Sequence, residues 1–227
     1  MNRSTYLLAG IVGSFALSAF AMVFVPQWQL GGLQPQFVDD EGKVTDIYPI
    51  ENRGITQAGR AVYISEGCVY CHSQQVRDEQ NGSDLDRGWG VRRTVARDYM
   101  FDSPPLLGSS RIGPDLANVG SEKWRNEPTD ENAQYKPAKR DATWQLLHLY
   151  APTTIVKDSK MPPYRYLFEK RKISGQRSVD ALNVPTEEGY EIVPKTEAKV
   201  LVGYLLTLDK SHPLKEVKTA KPEVAAK

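Results

Sequence analysis

Cys68 and Cys71 are the only cysteines in the chain, and His72 stands directly behind the second of them. Three chemistries use two thiols at this spacing: a redox disulfide, half of a zinc site, and a pair of thioether anchors for haem. A thioredoxin-like redox pair expects a preceding strand within a βαβ frame, whereas the residues before Cys68 read as a helix. A structural zinc site needs four ligands, usually from two clustered pairs. Beyond Cys68, Cys71 and His72, only the distant His148 and His212 could contribute. The Cys-x-x-Cys-His run is also the attachment signature of c-type haem. Its spacing has a physical reason: the thiols add to two vinyl groups on one haem edge, and the next residue's imidazole then lies under the iron. The reading that uses all three residues is one covalent haem c.

An electron carrier with six-coordinate iron needs a second axial ligand, commonly methionine, which raises the potential relative to a bis-histidine site. Met1 is terminal, Met22 lies in an apolar N-terminal run, and Met100 sits between aromatics in "RDYMFD", where ordinary core packing is expected. Met161 lies in "SKMPPY", a non-helical loop stiffened by Pro162 and Pro163. Met161 is therefore the expected ligand, with Met100 and His148 as alternatives. His148, between Leu147 and Leu149, reads as a satisfied core or interface histidine, and His212, ahead of Pro213, as a solvated one.

The elements that must position these residues follow from the apolar pattern. Residues 6–25 carry no charge, and twenty helical residues at about 1.5 Å each match the ~30 Å hydrocarbon core of a bilayer. Arg3 precedes this run and Trp28 follows it, so the positive-inside tendency places the N-terminus in the cytoplasm and the rest of the chain outside. Ala19-Phe20-Ala21 offers the rival reading of a cleaved signal peptide, but the apolar run continues to Val25. Both readings export the remainder.

Residues 29–54 read as a polar tether. A helix with Thr56 as N-cap runs to Gly67, with Ala58, Ala61, Val62 and Ser65 on one face. Loops follow over 73–112, then a charged excursion over 121–141. A helix over 142–150 is capped by Asp141 and stopped before Pro152. The last helix starts at Thr196 with Val200, Leu201, Tyr204, Leu205 and Leu208 on one stripe, and residues 209–227 read as a disordered tail. No repeat and no sustained strand alternation is visible, so the expected class is mainly α. A net charge of +1 gives no pull toward nucleic acid.

"AGRAVYISEGCVYCH", "GPDLANVG", "SKMPPY" and "KVLVGYLLTL" resemble, in order, the segments of a class I cytochrome c. That resemblance implies a first and last helix crossing near the haem, with Gly59 and Tyr204 at the contact. It also implies a carbonyl from Pro114 on the other ring nitrogen of His72. The expected fold is an N-terminal transmembrane helix plus an elaborated class I cytochrome c-like helical domain. The expected division is an anchor over 1–28, a linker over 29–54, the cytochrome domain with insertions over 55–208, and the tail.

"EGCVYCHSQQVR", "GSSRIGPDLANVG", "WQLLHLYAP" and "SKMPPY", behind an N-terminal anchor, look like the mono-haem membrane cytochrome c subunit of cbb3-type cytochrome c oxidases. The resemblance implies an electron-transfer subunit in a bacterial inner membrane, its cytochrome domain facing the periplasm. Such a subunit carries single electrons from a cytochrome donor through one haem c to a haem-copper catalytic subunit, alongside other cytochrome c subunits. Cys68 and Cys71 would hold the haem, and His72 and Met161 the iron. Insertions over 76–110 and 121–141 would in part form subunit interfaces, and 170–195 has no counterpart in the resemblance. The small cytochrome subunit of a nitric oxide reductase and a non-haem exported metal-binding module are the alternative readings.

Overall fold

The computed structural model describes residues 3–38, 44–127 and 139–219. The chain opens with one continuous apolar helix, Arg3–Leu30, none of it buried against the rest of the protein. Its 28 residues span roughly 42 Å, enough to cross a bilayer with a turn to spare. Within it, α1 (Arg3–Ala19) passes into α2 (Val25–Leu30) through a π-helical turn at Phe20–Phe24, where the Val25 amide bonds the Phe20 carbonyl. Pro26 explains the widening. Proline has no amide hydrogen and its ring crowds the preceding turn, so the ladder lengthens by one residue there.

Beyond the membrane helix the fold is mainly helical. α3 (Ile55–Ser65) and α7 (Thr196–Leu205) cross and form the centre of the core. Gly59 sits at the crossing: a β-carbon there would lie 1.9 Å from the Val200 carbonyl oxygen and 2.6 Å from Tyr204 Cβ. One turn on, Tyr63 meets Tyr204 edge to face at 5.7 Å. The buried stripe of α3 is thus Gly59 and Tyr63 with Val62 beside them, and Ala58, Ala61 and Ser65 are exposed. The buried face differs from the expected one because the α7 backbone comes closest at Gly59, an approach only glycine allows. The helix also starts two residues early, at Ile55 behind Gly54, and Thr56 instead bonds back to Arg53.

α4 (Glu122–Arg125) is a single turn capped by Ser121, which accepts the Trp124 amide at 3.3 Å. The rest of the charged excursion, residues 128–138, lies outside the described residues. α5 (Ala142–Tyr150) begins as expected at Asp141, whose carboxylate accepts the Trp144 amide at 3.0 Å. It ends at Ala151, and Pro152 opens the short α6 (Pro152–Ile155). α7 carries Val200, Leu201, Tyr204 and Leu205 into the interior, and Leu208 follows them just past its end.

Two small antiparallel pairs were not expected. β1 (Gln36–Val38) pairs with β2 (Val44–Tyr48) inside the supposed tether, and β3 (Phe168–Lys172) pairs in register with β4 (Tyr190–Pro194). β3 hides only its first residue while β4 buries four, so neither shows the alternation that marks a half-buried strand.

The stretch after α7 is also ordered, through residue 219, where a tail was expected; residues 220–227 lie outside the described residues. Leu214 is fully buried, and Gln36 donates to the Pro213 carbonyl at 3.0 Å. Arg97 joins both ends by bonding Glu216 and the Gln34 carbonyl. His212 stacks on Tyr48 at 4.7 Å rather than standing in solvent. Beneath it, Arg92 and Asp98 form a two-pronged ion pair at 2.8 and 2.9 Å, with neither side chain accessible. Arg92 Nε also donates to the His212 carbonyl at 2.7 Å, and the Tyr48 hydroxyl to Asp98 at 2.6 Å. This buried group ties β2, the 92–99 turn and residues 209–213 together. Lysine-rich composition suggested disorder for that last segment, but Lys210 folds inward and bonds the Asp98 carbonyl at 3.1 Å.

Burial pushes the Asp98 carboxyl up, but the hydrogen bonds and charge of Arg92, with Tyr48 and the Val95 amide, hold it below its ordinary value of 3.8. A lowered folded value means the stabilisation is present above about pH 4 and is lost as pH falls further. Asp98→Asn should cost about 3–5 kcal/mol at neutral pH by leaving Arg92 buried and unpaired, and should flatten the acid limb of a stability-versus-pH curve. Gly59→Ala should cost roughly 1–3 kcal/mol or more, because the new methyl meets backbone that cannot rotate away. Denaturant titration of the detergent-solubilised chain reads both.

Candidate functional site

α3 stops where its geometry must change to bring two thiols and an imidazole together. Gly67 takes the left-handed conformation at φ 73°, and residues Cys68–Tyr70 then close one tight turn. The amides of both Cys71 and His72 return to the Cys68 carbonyl, at 3.1 and 3.0 Å. Cys68 and Cys71 are free thiols, both half-buried. Burial pushes the Cys68 thiol up to about 12.

His72 Nδ1 lies 2.8 Å from the Pro114 carbonyl oxygen. A carbonyl can only accept, so Nδ1 carries the proton and Nε2 keeps its lone pair free. Burial lowers the pKa of His72, against the raising effects of the Pro114 bond and Asp115, so the ring is neutral at neutral pH. The Gly113 amide donates to the Cys71 carbonyl at 2.9 Å, which brings the Gly113 backbone against the ring. A β-carbon at Gly113 would lie 2.2 Å from His72 Cε1.

Cys68, Cys71 and His72 line a cavity of about 600 Å³, within the ~300–1,000 Å³ usual for small-molecule and cofactor sites. Gly113 and Pro114 line it too, as does the loop from Val156 to Pro162 that carries Met161. That loop is tied down on its C-terminal side. The Tyr164 amide donates to the Leu149 carbonyl on α5 at 2.8 Å, and the Lys195 amide to the Leu167 carbonyl at 2.9 Å. The β3–β4 hairpin thus carries the chain from the methionine loop to α7. Met100 lies apart, half-buried behind the 96–99 turn, and is not among the cavity's lining residues.

His148 differs from its expected role. It lines the cavity, lies flat on Trp144 at 4.8 Å, and its buried Nδ1 has no hydrogen-bond partner among the described residues. Burial, then the neighbouring His72 and Arg140, push its pKa down to about 4, so it is a neutral imidazole. Trp89, Trp124 and Trp144 complete the wall, with Arg87 beside Trp89 and Arg140 over Trp124. Sequence reasoning passed over these aromatics. Trp144 and His148 stand four apart and so share a helix face, but nothing local marks Trp89 or Trp124. Among the described residues no cluster of three or more His, Cys, Asp and Glu could hold a metal ion.

Gly113→Ala should displace the His72 ring and cost about 1–3 kcal/mol by overpacking. Denaturant midpoints and the ring-proton resonances of His72 check it, and an unmoved ring would refute the packing argument. The family model described as Cytochrome C oxidase, mono-heme subunit/FixO matches residues 14–202, and no curated protein matches the chain.

Proposed function

Since the chain belongs to the mono-haem subunit family of cytochrome c oxidases, we propose that it relays single electrons through one covalently held haem c to a haem-copper catalytic subunit. The family makes the chain an electron-transfer subunit of a membrane oxidase with one haem, and the apolar helix makes it membrane-anchored. The observation that carries the finer reading is the convergence of Cys68, Cys71, His72 and Met161 on one cavity, although Met161 arrives from a separate loop.

The residues fit a haem. Two free thiols stand one turn apart, and the His72 tautomer leaves Nε2 available. When bound, haem supplies a one-electron iron couple. Cys68 and Cys71 would hold it through thioether bonds, and His72 and Met161 would hold its iron. The Pro114 carbonyl holds the ring of His72 in one orientation and raises its donor strength. Trp89, Trp124 and Trp144 would offer flat apolar surface to the macrocycle. With His72 and Met161 both holding the iron, this chain would only pass electrons on, and oxygen chemistry would fall to the partner.

The cytochrome domain, over 55–208, is proposed to face the periplasm of a bacterial inner membrane, behind an anchor at 1–28. A cytochrome would donate the electrons, and other cytochrome c subunits would share the complex. Parts of 76–110 and 121–141 would meet those subunits. In 76–110, Val76, Asp84, Arg92, Thr94, Asp98 and Leu106 already point inward, so the exposed remainder, such as Phe101 and Leu107, is left for contacts.

The chain made with cytochrome maturation machinery should give a pyridine haemochrome spectrum of covalent haem c. Cys68→Ala with Cys71→Ala should abolish haem that survives denaturing electrophoresis. Met161→Ala should alter the reduced spectrum and lower the midpoint potential, while Met100→Leu should not. An unchanged spectrum in Met161→Ala would move the ligand assignment to His148.

A further inference from the structure

Behind His72, the guanidinium of Arg111 sends each of its three nitrogens to a different stretch of chain. Nε donates to Ser73 Oγ at 2.8 Å, Nη2 to the Gln75 carbonyl at 2.5 Å, and Nη1 to Asp84 at 2.7 Å. Asp84 is fully inaccessible and also accepts the Arg77 amide at 2.8 Å and the Arg77 side chain at 2.9 Å. It sits in the 76–91 loop, nine residues beyond Gln75 and 27 before Arg111. A carboxylate so buried is retained only where cations compensate it.

The segment it serves is the one that holds His72. Ser73 Oγ donates to Asp115 at 2.6 Å, and the Gln75 amide donates to the same carboxylate at 2.8 Å. The Leu116 amide returns to the Ser73 carbonyl at 2.8 Å. Pro114, whose carbonyl receives the His72 ring proton, is therefore pinned on both sides: by Arg111 before it and by Asp115 after it. Both pins converge on Ser73, the residue next to His72.

We infer that Asp84 is a positioning residue for His72, acting through Arg111 to hold the His72–Pro114 hydrogen bond and to balance the Arg111 charge beside the site. The inference rests on the reading of His72 as an iron ligand. Removing the Asp84 charge has two effects of one sign. The Arg111 cation is left less compensated, which favours the less positive, reduced state. The loosened Pro114 contact weakens His72 as a donor, which favours that state again. Arg111→Lys keeps a cation but loses the three-way fork, so it isolates the second effect.

The test uses the full-length, haem-loaded chain in detergent and reads the midpoint potential together with the exchange rate of the His72 Nδ1 proton in the reduced protein. Asp84→Asn should favour the reduced form about tenfold, ~59 mV for one electron, and speed the exchange at least tenfold. Arg111→Lys should speed the exchange similarly with a smaller rise in potential, and Asp84→Glu should restore part of both. Potential and exchange unchanged in haem-loaded Asp84→Asn, whatever its thermal stability, would overturn the inference. If that variant does not accumulate, wild-type values in Arg111→Lys overturn it equally. A wild-type chain without covalent haem would instead overturn the haem assignment on which both rest.

Discussion

The approach of α3 to α7 at Gly59 governs where every other part of the domain can sit. With no side chain at that position, the α7 backbone closes to within what would be 1.9 Å of a β-carbon, and Tyr63 and Tyr204 meet one turn further on. This fixes the end of α3, and with it the turn at Gly67 from which Cys68, Cys71 and His72 emerge. It also fixes α7, onto which the β3–β4 hairpin delivers the chain from the Met161 loop. The two sides of the cavity are therefore set by one helix crossing. A change at Gly59 would be felt at both thiols and at the methionine, although it touches none of them.

Around that crossing, buried ions connect the loops that apolar packing does not. Arg92 with Asp98 ties the chain leaving the membrane to the segment after α7. Asp84 with Arg77 and Arg111 ties a long loop to the segment behind His72. Such pairs contribute little net stability against apolar substitutes, because desolvation offsets their attraction. What they supply is direction, since a guanidinium satisfies its donors in only one arrangement of neighbours. A loop-rich domain that must hold a redox group steady has use for that.

Much of this was legible in the residue order. The thiols and His72 are brought together by adjacency alone, and Pro162 and Pro163 mark the Met161 loop. Asp141 and Pro152 bound α5 to the residue, because capping and the missing proline amide act over three or four positions. The family to which the chain belongs was visible in the same motifs. The misreadings have a common cause. The β1–β2 and β3–β4 pairs, the order after α7 and the stripe of α3 all depend on partners distant in sequence. Lys210 looks like part of a solvated lysine-rich tail until Asp98 and Tyr99 are placed beside it.

By itself the sequence determined the membrane helix, the haem-type motif, the ends of α5 and the loop that carries Met161, since each rests on interactions between near neighbours. Only the tertiary structure decided that His148 faces the cavity with a nitrogen unpartnered among the described residues, that three tryptophans wall it, and that Asp84 stands behind Arg111. The reason is physical. A side chain's charge state and role follow from what surrounds it in space, and burial joins residues that share no local pattern.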